Sequence, residues 1–121
     1  MTPFHLYLYG PLRGPIETSF EQAAQRLQQL PRLHFEPDGS FVWNRDSGKQ
    51  QVFGMVYDAE GKVRYCDLQG HCDRQTWKEL CQAITGDRCG DLQVMILPDQ
   101  QLQDLQSFEE KAWPDDEAAT N

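Results

Sequence analysis

The sequence predicts an α+β fold of two layers, a mostly antiparallel sheet with helices packed on one face, in the order β-α-β-β-β-β-α-β-α. Three observations lead there. Apolar residues recur at three- and four-residue steps in three separate segments, as helices require. Between Arg32 and Leu68 the period shortens to that of strands, punctuated by turn signals. The chain has 121 residues, 39% of them hydrophobic and 11% aromatic, enough for one modest core and too few for two.

The first strand is Phe4–Tyr9, aromatic-rich and stopped by Gly10-Pro11. The loop Gly10 to Pro15 then leads into a helix. Thr18 and Glu21 stand at capping-box spacing, and Phe20, Ala23, Ala24, Leu27 and Leu30 form its apolar face until Pro31. Turn signals at Pro37–Ser40, Arg45–Gly48 and Asp58–Gly61 divide the next stretch into four strands of an antiparallel meander. With Tyr57 opposite Val63 across the last turn, Met55 faces Tyr65 and Phe53 faces Asp67 on one side; Val52, Gly54, Val56, Arg64, Cys66 and Leu68 take the other.

Asp73 caps a second helix with Trp77, Leu80, Cys81 and Ile84 on one stripe and Gly86 at its C-terminal stop. Leu92 to Leu97 is almost uniformly apolar and reads as a central strand buried on both faces. After Pro98, Leu102, Leu105, Phe108 and Ala112 mark a third helix ending at Trp113-Pro114. Residues 1–113 are thus expected to form one domain, its acidic helical segment starting at 98, with 114–121 a frayed acidic tail.

Charge is unevenly spread. The chain carries 11 Lys and Arg against 19 Asp and Glu, a net of -8. Seven of those acids and one base fall between Pro98 and Asn121, so -6 belongs to that segment and -2 to the rest. Residues 1–97 contain no basic cluster, which argues against nucleic acid as a partner. No stretch is apolar enough to span a membrane, and the N-terminus does not read as a secretory signal, so the expected location is cytoplasmic. Removing Asp115 to Asn121 should lower solubility more than stability.

The most tempting chemical constellation is Cys66, His71 and Cys72, with Cys81 and Cys89 following. Zinc sites favour close ligand pairs, and five, eight and seven residues separate these successive cysteines. Cys72 and Cys81 flank a helix that rises about 13 Å over nine residues, too far for a shared ion or a disulfide. Cys81 lies on the apolar stripe and reads as core. Cys72 beside His71 at a helix N-terminus has the outline of an activated nucleophile, opposed by the neighbouring charge of Asp73. A small thiol-dependent enzyme or a zinc-binding domain built on Cys66, His71 and Cys72 is therefore the alternative function.

The loop Gly10 to Pro15 lacks the spacing of a phosphate-binding motif, and its two prolines remove N–H donors, so it reads as a rigid connector with Arg13 as its one anion contact. Glu109-Glu110 and Asp115-Asp116 are solvated charges, and His5 and His34 stand alone. The aromatics say more. Phe41, Trp43, Phe53, Tyr57 and Tyr65 crowd one sheet. The structural expectation is that helices and the C-terminal segment cover them; left uncovered, they make a docking surface. The leading function is accordingly a non-enzymatic interaction or regulatory module that needs no cofactor. It would bind a protein or peptide partner through Trp43, Tyr57 and Tyr65 or through Phe108 and Trp113 of the acidic third helix.

Overall fold

In Phe4–Tyr9 (β1), Leu6 and Leu8 alternate with Tyr7 and Tyr9, and this parity decides which face of the sheet becomes core. The computed structural model describes residues 3–114, and there both leucines are fully buried while both tyrosines stay half-exposed. The other strands are Leu33–Phe35 (β2), Ser40–Arg45 (β3), Gln50–Ala59 (β4), Lys62–His71 (β5), Gln93–Ile96 (β6) and Gln101–Asp104 (β7). They form one antiparallel sheet in the order β2-β3-β4-β5-β1-β6-β7. Three helices, Phe20–Gln28 (α1), Arg74–Thr85 (α2) and Leu105–Ala112 (α3), pack on the face that carries Leu6, Leu8, Trp43, Val52, Leu68 and Val94. The expected two-layer α+β architecture is thus the observed one.

The helix starts follow capping chemistry. Ser19, one residue beyond the expected Thr18, caps α1: its Oγ accepts from the Gln22 N–H at 3.1 Å and the Gln22 side chain accepts from the Ser19 N–H. Thr18 is used differently, its hydroxyl accepting from Arg26 at 2.7 Å. The same guanidinium donates to the carbonyls of Ala83 and Ile84 at 2.8 and 2.9 Å, which satisfies the C-terminal end of α2 and ties α1 to it. Asp73 caps α2 through the Thr76 N–H, and Gly86 ends it at φ 66°, as the sequence predicts.

Three expectations are corrected. Residues 101–104 are a strand, because Asp104 is the cap of α3 and accepts from the Ser107 N–H at 2.7 Å. Leu102 lies three residues before Leu105, so it mimicked helical spacing, yet it sits opposite Met95 on β7 and is 44% exposed. The added edge strand places β6 sixth of seven in the sheet, so it is not central, and of its four residues only Val94 is fully buried. Finally, Tyr57 pairs with Tyr65 and Asp58 with Val63. A β-bulge absorbs the extra residue, Arg64, which moves to the outer face beside Tyr65 while Val63 turns into the core. The acidic tail 115–121, with its predicted fraying and effect on solubility, lies outside the described residues.

Candidate functional site: the open sheet face

With all three helices on one side, the opposite face of the sheet has no second layer among the described residues. Parity brings Tyr7, Tyr9, Met55, Tyr57, Tyr65 and Met95 to it from four adjacent strands, and Phe53 and Leu102 extend it in both directions. Phe53 is 52% and Tyr57 39% exposed, the opposite of what a strand core would do with them. The expected cover of this face by helices is therefore not what forms.

All four tyrosines of the chain meet here. Tyr57 and Tyr65 stack at 4.8 Å between centroids, and Tyr7 and Tyr9 approach Tyr65 at 5.1 and 5.4 Å. Burial, followed by the crowding of Tyr57, Tyr7, Tyr9 and Asp67, raises the Tyr65 phenol above its ordinary value. At the bulged end of the cluster a cleft of about 510 Å³ opens between Tyr9, Tyr57, Tyr65, Arg13 and Arg64. Further along the same face His5 Nε2 lies 3.0 Å from Asp67 Oδ1, so His5 is not isolated.

Arg13 reaches this cleft through a strained connector. Leu12 and Arg13 both have left-handed backbones, φ 56° and 59°. The loop holds them there by hydrogen bonds from the Gly10 N–H to the Gly14 carbonyl at 2.8 Å and from the Gly14 N–H to the Pro11 carbonyl at 2.9 Å. Its exit is fastened to β5 by the Ile16 N–H to Val63 carbonyl bond. The Arg13 guanidinium lies 5.8 Å from the Tyr9 ring centroid.

Of the residues singled out from sequence, Tyr57 and Tyr65 are brought together on the open face, whereas Trp43, Phe108 and Trp113 lie on the helix side, the last two in contact with ring centroids 5.7 Å apart. Trp43 shares the core-facing parity of Phe41 and is 2% exposed, its indole N–H donating to the Pro31 carbonyl at 2.9 Å. Phe108 and Trp113 close over Trp77 with ring centroids 5.3 and 5.8 Å away, and Trp113 donates to the Cys72 carbonyl at 3.0 Å. All three rings are buried on the helix side of the sheet, and the indole N–H groups of Trp43 and Trp113 are already satisfied.

The structure separates Cys66 and Cys72 from His71. Cys66 and Cys72 are fully buried, whereas His71 has the parity of Gln69 and Asp67 on the outer face. Burial pushes both thiols up to about 12, with Asp67 adding to the effect at Cys66 and Asp73 at Cys72. No group of three His, Cys, Asp or Glu side chains that could hold a metal ion occurs among the described residues.

Sequence reasoning missed Tyr7, Tyr9 and Arg64 as members of the site. The alternation of Leu and Tyr in β1 carried the signal for the first two; nothing local announced the bulge that redirects Arg64. Among the described residues no helix is long and apolar enough to cross a membrane. Comparison with known proteins finds no family model that matches the chain, and no match among curated proteins or solved structures.

Proposed function

We propose that this protein is a non-enzymatic interaction module that docks a protein partner on the open face of its sheet. The observation that carries the reading is the helix-free face on which Phe53, Tyr57 and Leu102 are exposed around the tyrosine cluster. Rigid aromatic side chains on a strand scaffold lose little conformational entropy on contact and offer both apolar area and hydroxyl donors, the composition favoured at interface centres. The polar rim supports a partner of defined chemistry. Arg13 and Arg64 stand at one end of the face, so the partner surface would be apolar at its centre and acidic where it meets them.

Site-specific photo-cross-linking tests it. A benzophenone side chain at Phe53, on the open face, is compared in cells with one at Gln25, on the exposed side of α1. A discrete heterologous adduct from position 53 and none from 25 is the expected result. Equal labelling from both positions, or none from either, overturns the reading; an adduct of twice the chain's mass replaces the foreign partner with a second copy.

A further inference from the structure

The corner of the open face where Arg13 and Arg64 line one cleft has the chemistry of a specific subsite. Two independent backbone irregularities deliver these arginines. The β-bulge in β5 leaves Arg64 without a cross-strand partner and turns it outward next to Tyr65. The Gly10–Pro15 connector holds Leu12 and Arg13 in left-handed conformations and sets Arg13 beside Tyr9. Such strain persists only where surrounding bonds hold it, here the two bonds within the loop and the one from Ile16 to Val63. Both guanidiniums are exposed, and among the described residues neither is held in an ion pair. The single acid lining the cleft is Asp58, so the lining is net positive within a chain whose net charge is -8.

The rings of Tyr9, Tyr57 and Tyr65 line the same cleft, with Tyr57 the most exposed of the three. A planar guanidinium binds carboxylate or phosphate oxygens through a two-pronged fork, and a tyrosine face stacks on another ring. We infer that this cleft is a binding site for an aryl phosphate, with Arg13 and Arg64 clamping the phosphate oxygens and Tyr57, the exposed member of the Tyr57–Tyr65 stack, packing on the ring. The inference rests on the docking reading, since it names what one corner of that face takes. The aryl phosphate is either a free small molecule or a phosphorylated aromatic side chain on the partner.

The test follows the arginine Nε–H resonances of the ¹⁵N-labelled full chain during titration with phenyl phosphate, inorganic phosphate and phenol. Phenyl phosphate is expected to shift Arg13 and Arg64 saturably and to bind about tenfold more tightly than either fragment. The R13Q/R64Q variant should lose about tenfold in that affinity with an unchanged melting transition, and R13K/R64K should recover only part of it. Inorganic phosphate binding as tightly as phenyl phosphate, no saturable shift, or a glutamine variant that binds like wild type overturns the inference. A peptide bearing phosphotyrosine separates the sources: a gain of about tenfold over phenyl phosphate assigns the ligand to a partner chain, and no gain assigns it to a free molecule. Because the cross-linking at Phe53 needs neither arginine and this titration needs no partner, either reading can fail without the other.

Discussion

Trp77 and Glu109 are joined across the helix layer by a hydrogen bond of 3.0 Å from the indole N–H to the carboxylate, and this bond fixes α3 over α2. The Trp77 ring is fully buried, edge-on to Phe4 at 5.3 Å and in contact with Phe108 and Trp113. It is the largest side chain wholly removed from solvent.

Replacing Trp77 with alanine should therefore cost about 3–5 kcal/mol, with W77F costing less because most of the ring volume stays. Urea unfolding followed by far-ultraviolet circular dichroism checks it. A loss below about 1 kcal/mol for W77A would contradict the packing described for α3.

Gly54 sits directly opposite Phe41 on the neighbouring strand, and a Cβ at 54 would overlap the Phe41 ring. That ring is buried and stacks on Phe35 at 6.4 Å, so moving it aside would disturb that packing. G54A should destabilise by about 1–3 kcal/mol through overpacking. In an F41A background the same glycine substitution should cost less than about 1 kcal/mol, and a double-mutant cycle measures the coupling.

Asp73 links stability to pH. Burial alone would raise its carboxyl, but hydrogen bonds from the Thr76 N–H and hydroxyl and from Gln50, with Arg45 nearby, leave it below its ordinary value. A group lowered in the folded state stabilises the protein above its unfolded value and loses that contribution as pH falls through the folded one. The wild type should consequently weaken below about pH 4. D73N keeps the cap and flattens that part of the pH profile, whereas D73A costs about 1 kcal/mol at neutral pH. Denaturation midpoints measured from pH 3 to 7 on the three proteins decide it.

The thiols should sort by burial. Cys89 is the one half-exposed cysteine of the four, and Cys81 is raised well above its ordinary value by burial first and by Cys89, Glu109, Cys72 and Cys66 after it. Iodoacetamide at pH 8 should label Cys89 in the native protein and all four cysteines in guanidinium, as read by peptide mass spectrometry. Cys66 and Cys72, held up to about 12 when folded, ionise earlier in the unfolded chain. Stability from these two is complete below about pH 9 and is lost as pH rises toward their folded values.

Much of this was legible along the chain. Local periodicity and punctuation determined the α+β class, the antiparallel meander, the cap and stop of α2 by Asp73 and Gly86, and the core roles of Cys81 and Leu80, because each depends on residues a few positions apart. What only the tertiary structure decided is where nonlocal pairing intervened. Leu102 obeyed a helical spacing but was claimed by β6, whose edge needed a partner. Trp43, Phe108 and Trp113 had the composition of a docking surface, but strand parity and the approach of α3 made them core. Tyr7, Tyr9, Tyr57 and Tyr65 became one cluster only because β1 inserted beside β5 and faced away from the helices. The physical reason is the same in each case: a strand's side chains alternate by a rule local to the strand, but which face meets the helices is settled by partners far away in sequence.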